Sequence, residues 1–284
     1  MKSLLLIALA TASLTQAKTE NRTVANFSSS GLVAILEEHN FVCDQKKVDN
    51  EADTRGRSAY ECIGTLSNYK NKVHIFLPSK ILKSDQVNTI NFFFHGFWSP
   101  ETFFKNKNNL DGAGDFAALL EKSNSQKSIL VILESAGQCA DYEPFIQDAK
   151  KFISVKNEIE NLMQFKFLQI KLSGHSGAYR VVNGLMINPE ISRLVQQIGL
   201  FDSIYDAKTN LLNIRNWLGQ STENKLKISY VVGAQQSTKA QTEKFLSLAS
   251  QFKNQIEVQI LPSDQPNAHL SAMKNGGFSD FLKD

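Results

Sequence analysis

The chain has 284 residues, a formal net charge of +3 and 42% hydrophobic residues. Such a balance gives no footprint for nucleic acid and no polybasic membrane anchor. The length suits one large α/β domain as well as two small ones, with room for a sizeable core.

Met1-Lys2 makes a short positive start, and residues 4–14 form an apolar run without charge. Thr15 and Ala17 put small residues at the −3 and −1 positions of a cleavage site. This layout predicts a signal peptide over residues 1–17, because the apolar run is too short to cross a bilayer. The alternative is a buried N-terminal helix. No later segment holds about 18 consecutive apolar residues. The expected product is a soluble, secreted or periplasmic protein of residues 18–284, forming a single domain.

A first helix is predicted over residues 30–38. Cys43 and Cys62 then lie in strand-like stretches, 40–43 and 58–62, on either side of a polar loop at 44–57. Of the three cysteines, an oxidising compartment favours one disulfide and one free thiol. A Cys43–Cys62 bridge closing that loop is the expectation, against three unpaired buried thiols. Cys139 sits in a loop where nothing in the neighbouring sequence would activate it as a nucleophile.

Further strands are predicted at 72–77, 89–94, 128–133, 167–172, 198–201, 226–232 and 256–261. Between them lie helical patterns at 116–122, 144–163, 208–218 and 242–252, and one beginning at Tyr179. Strands alternating with helices, several apolar on both faces, imply a largely parallel sheet covered on both sides. In such sheets chemistry gathers at the carboxyl ends of the strands.

The strongest signal stands at one such end: Gly174-His175-Ser176-Gly177-Ala178, between a buried strand and a helix. A nucleophile elbow exposes a serine on a tight strand-to-helix turn and needs small residues two before and two after it. Gly174 and Ala178 fill those places. A serine hydroxyl needs a base near its working pH, and histidine suits. Of the five histidines, His39 and His74 read as structural. His269, in the loop after the last strand, is the best-placed base.

Here the chain resembles the α/β-hydrolase family, from roughly residue 40 to the end. The resemblance implies a mostly parallel eight-stranded sheet with helices on both faces, its first two strands antiparallel. It also implies the chain order nucleophile, acid, histidine. Residues 231–238, where the family most often carries its acid, contain no carboxylate. Asp202, directly after strand 198–201, is the candidate acid, with Asp206 and Asp264 in reserve. The oxyanion donors implied are the amide of Gly177 and that of Phe97 or Gly96, in the His95-Gly96-Phe97-Trp98 element. His95, Trp98 and His175 flank the serine and are the candidate substrate-side residues. Phe97, Trp98, Phe103 and Phe104 either line a pocket or pack their loop on the sheet.

The interval after strand 198–201 has room for one helix and no cap domain. This predicts an open site and a polar or polymeric substrate. No metal set and no nucleotide loop is visible, so neither a metal nor a cofactor is expected. The leading activity is carboxylic ester hydrolysis by Ser176, His269 and Asp202. Amide or peptide cleavage is the second reading, and a binding protein on a hydrolase scaffold the third.

Overall fold

A computed structural model of the protein describes residues 28–47, 58–79, 89–96, 116–135, 139–207, 211–232, 236–262 and 268–283. The signal segment 1–17, Phe97, Trp98, Phe103, Phe104 and Asp264 lie outside the described residues.

The strands are β1 (Val42–Lys47), β2 (Ser58–Leu66), β3 (Tyr69–Leu77), β4 (Thr89–Phe94), β5 (Ser128–Leu133), β6 (Gln169–His175), β7 (Val195–Phe201), β8 (Lys225–Val232) and β9 (Ile256–Pro262). They form one sheet in the order β1-β2-β3-β5-β4-β6-β7-β8-β9. The count is nine, not the expected eight, because both halves of the cysteine hairpin pair as full strands. The pairs β1/β2, β2/β3 and β3/β5 are antiparallel. From β5 across to β9 every pair is parallel.

The helices are α1 (Ser29–Glu38), α2 (Phe116–Ser123), α3 (Glu143–Gln147), α4 (Ala149–Met163), α5 (Tyr179–Leu185), α6 (Pro189–Leu194), α7 (Leu212–Leu218), α8 (Gln236–Leu248), α9 (Ala268–Asn275) and α10 (Phe278–Phe281). The single helix expected over 144–163 is two. Asp148 leaves helical geometry at φ −144°, ψ 97°, and its side chain accepts from the Lys150 amide, capping α4. Only one helix, α7, lies among the described residues between β7 and β8.

The apolar strands are buried because both faces are covered. Successive side chains of a strand point to opposite faces. On β4, Phe92 meets Phe152 of α4 at 4.7 Å between ring centroids. Its neighbour Phe93 turns to the other layer, where it meets Phe116 at 5.1 Å and Phe278 at 5.5 Å. Two core layers therefore sandwich the sheet.

The strand order also locates the functional end. From β4 the chain continues to β5 on one side, and from β6 it continues to β7 on the other. The connections diverge between β4 and β6, which opens a crevice at their carboxyl ends. At the far edge, Cys43 and Cys62 stand directly opposite in the β1/β2 register and form a disulfide. Cys139 is buried and unbridged.

Candidate active site

Strand β6 ends at His175, and Ser176 turns the chain with φ 56°, in the left-handed region that side chains disfavour. One turn later α5 begins at Tyr179. The bend folds Gly174 back on Ala178: a Cβ placed on Gly174 would lie 3.2 Å from the Ala178 Cβ. The end of β4 presses on the same bend. A Cβ on Gly96 would sit 2.4 Å from the Ser176 Cβ and 2.8 Å from the His175 carbonyl oxygen. Glycine is needed at 96 because no side chain fits between these two backbones.

Asp202 follows β7 directly, with φ 42°, and is fully buried. Its amide donates to the Ser229 carbonyl at 2.7 Å. The carboxylate accepts from the Val231 amide at 3.2 Å through Oδ1 and lies 2.5 Å from His269 Nδ1 through Oδ2. Strand β8, which lacks an acid of its own after Val231, thus supplies a donor to the acid of β7. His269 lies in the first turn of α9 and remains partly accessible. Among the described residues, the carboxylate paired with His269 is Asp202 and not Asp206.

The elbow is tied to the loop after β7. Ser203 Oγ donates to the Ser176 carbonyl oxygen at 2.5 Å, and Tyr205 stands on the same loop near the Ser176 side chain. Burial raises the Tyr205 pKa, and the Ser176 side chain partly offsets the rise. Among the hydrogen bonds of the described residues, none joins the Ser176 hydroxyl to His269. Ser176 is 6% exposed.

The substrate contacts expected of His95 and His175 are not what this geometry offers, because both are fully buried with a ring nitrogen on protein backbone. His95 Nε2 accepts from the Ser135 amide at 2.9 Å, and burial pushes its pKa down to about 4, so the ring is neutral. Its carbonyl accepts from Cys139 Sγ at 3.4 Å. Ring and carbonyl together fix the peptide leading into Gly96. Burial pushes the Cys139 thiol up to about 11, which leaves it protonated near neutral pH. Trp98 and Phe97 lie outside the described residues, while the Gly177 amide belongs to the elbow.

Sequence reasoning passed over Ser203 and Tyr205. The signal lay in the segment already singled out, 202–206, where a hydroxyl follows the acid directly and a phenol stands three residues after it.

A parallel sheet with one antiparallel flank, helices on both faces and a left-handed serine between β6 and α5 define the α/β-hydrolase fold, and this chain has it. Solved structures share that fold. The feruloyl esterase module from Clostridium thermocellum aligns over 84% of this chain and 93% of its own, at 12% identity and a TM-score of 0.51. A protein called FAE aligns over the same shares at 13% identity and a TM-score of 0.53. An S-formylglutathione hydrolase from Agrobacterium tumefaciens aligns over 85% of this chain and 98% of its own, at 10% identity and a TM-score of 0.49. No protein-family model matches the sequence, and no curated protein matches it.

Proposed function

We propose that the protein is a serine hydrolase that cleaves a carboxylic ester through Ser176, His269 and Asp202. The observation that carries this reading is one cluster: a serine in left-handed backbone at the β6 elbow, beside a buried Asp202 hydrogen-bonded to His269. An imidazole whose Nδ1–H is held by a carboxylate presents Nε2 as a base. The name of one neighbour of the fold, a feruloyl esterase module, agrees with an ester substrate.

In the reaction, Ser176 Oγ attacks the ester carbonyl and its proton passes to His269 Nε2. The oxyanion of the tetrahedral intermediate is met by the Gly177 amide and by a donor from the His95–Phe97 loop. His269 then protonates the departing alkoxide, and the acyl group remains on Ser176. Water, deprotonated by the same imidazole, releases the acid and restores the enzyme. Asp202 steadies the imidazolium formed in each half. Among the described residues no hydrogen bond joins Ser176 Oγ to His269 in the free protein, so on this reading that bond forms when substrate binds. Catalytic hydrogen bonds often form only once substrate is bound. The Cys43–Cys62 disulfide and the N-terminal 17 residues support a secreted or periplasmic location.

A fluorophosphonate probe tests the reading. Wild-type protein becomes labelled and hydrolyses a short-chain aryl ester, while Ser176→Ala does not label and His269→Ala labels at least about 100-fold more slowly. Labelling that survives in Ser176→Ala would overturn the assignment. A wild type that never labels would make the protein a binding module on this scaffold.

A further inference from the structure

His175 belongs to the core by burial, yet it spends both faces of its chemistry on the base. Its ring is fully buried, one residue before the nucleophile, at the last position of β6. Its Nε2 lies 2.8 Å from the carbonyl oxygen of His269. A carbonyl only accepts, so Nε2 carries the proton and donates it. Its Nδ1 is then the bare nitrogen, and it is buried without a hydrogen-bond partner. The two imidazoles also pack on each other, with centroids 4.5 Å apart and planes tilted by 34°.

From this geometry we propose that His175 is a positioning residue for the base: it anchors the His269 backbone to the elbow and floors its imidazole. The inference rests on the hydrolase reading above. It makes one dipeptide, His175-Ser176, hold both partners of the proton transfer. The nucleophile is attached by its own backbone, and the base by a donated hydrogen bond. His269 arrives on the first turn of α9, and two side chains then hold it: Asp202 at Nδ1 and His175 at the carbonyl and ring face.

Two features separate this role from ordinary packing. First, an imidazole buried with a bare nitrogen carries a desolvation cost that an apolar side chain of similar size avoids. The donated hydrogen bond is what the site gains in return. Second, the neighbour must stay neutral when His269 takes a proton, because two imidazolium rings at this separation repel. Burial, and next the nearby His269, hold the His175 pKa well below its ordinary value. The donor therefore stays in place across the range in which the base works.

The test compares His175→Phe, which keeps a ring and loses the donor, with His175→Gln, whose amide can restore an N–H near Nε2. Ser176→Ala is measured alongside. With an aryl acetate as substrate, His175→Phe should lower kcat by roughly 10- to 100-fold with KM within about twofold, because a misplaced base affects the chemical step. The fluorophosphonate labelling rate should fall with kcat, and His175→Gln should recover most of both. Wild-type kcat and labelling in His175→Phe, or equal loss in a folded His175→Gln, would overturn the role of His175 while Ser176→Ala remains inert. Labelling of Ser176→Ala would instead bring down the hydrolase reading and this inference with it. Should His175→Phe fail to fold, ring-nitrogen NMR of the wild type decides. A neutral Nε2–H tautomer that does not titrate between about pH 5 and pH 9 is expected, and an Nδ1–H tautomer or a titrating ring refutes it.

Discussion

At the scale of single residues, the site is built by backbones that approach too closely for side chains. Gly96 is the sharpest case. An added methyl would overlap the Ser176 Cβ at 2.4 Å and the Gly177 amide nitrogen at 2.9 Å. Neither neighbour is the free end of a flexible chain, so the β4 end or the elbow itself must shift. Gly96→Ala should therefore lower both aryl-ester turnover and probe labelling by about 100-fold or more, since loss of one oxyanion donor alone costs that much. Gly177→Ala is the contrasting variant. Among the described residues, a methyl there meets Cys139 Sγ at 3.6 Å, ordinary contact distance, and the amide is retained. It should lose less than about tenfold. Equal loss in the two variants would show that the approach of β4 is not what shapes the elbow. At Asp202, exchange to Asn keeps the shape but offers an amide where His269 Nδ1–H expects an acceptor. A fall in kcat of about 10³–10⁴ is expected with the fold intact, because the imidazole is left in the wrong tautomer. Circular dichroism and turnover, measured together, check it.

At the scale of elements, most of the pattern was legible in the sequence, and the exceptions have local causes. Apolar runs with turn residues at their ends mark the strands from β3 to β9; for β4 to β8 this is because a strand buried on both faces leaves little else to read, whereas β9, at the edge, is mostly exposed. The break at Asp148 was hidden because Phe145 and Phe152 keep helical spacing across it, while the capping role of the aspartate shows only in three dimensions. The places of Ser176, Asp202 and His269 in the fold were legible because each comes after a strand, and the proposed site draws on those places. Tyr205 was not, because an aromatic residue in a loop reads as packing. The sequence marks His74 as structural but hides its partners, because they come from other parts of the chain. On β3 its Nδ1 lies 2.9 Å from Glu61 of β2 and its Nε2 2.8 Å from Glu134 beyond β5, with Lys46 of β1 on Glu61 at 3.1 Å. Burial alone would lower the His74 pKa, but hydrogen bonds to Glu134 and Glu61 and their charges outweigh it and raise the value above 6.5. Burial likewise works against the Glu61 carboxylate, yet its bonds to His74 and Lys46 lower its pKa below 4.5. By linkage, His74 stabilises the fold below its unfolded pKa and loses that contribution as pH rises through the elevated folded value. Glu61 contributes above its unfolded pKa and loses its share as pH falls through the depressed one. Both act between the two ordinary values. The stability gap between wild type and His74→Gln, from urea unfolding, should therefore be largest near about pH 5.5 and narrow towards about pH 8.5. A gap constant over that range would mean the imidazolium is not held by the two carboxylates.

At the scale of the whole molecule, the sheet separates what stabilises the edge from what performs the chemistry. The disulfide joins β1 to β2, and β3, β5 and β4 stand between that pair and β6. It closes a loop with a sequence separation of 19, for which the unfolded chain loses entropy equivalent to about 3 kcal/mol. In a chain of this size a global effect of that magnitude would lower the melting temperature by roughly 6–12 °C. That is an upper bound, because β1 has one neighbour only and its loss can remain local. Changing both cysteines to serine should speed amide exchange in β1 first and lower the melting temperature by a smaller amount, about 3–6 °C. Turnover and fluorophosphonate labelling at 25 °C should stay within about twofold, because the β4/β6 crevice keeps its neighbours on both sides and the core layers that cover it. Hydrogen exchange, calorimetry and labelling on one preparation distinguish the outcomes. If labelling declines in step with β1 exchange well below the melting temperature, the edge and the crevice form one cooperative unit, and the sheet transmits strain across four strand pairings.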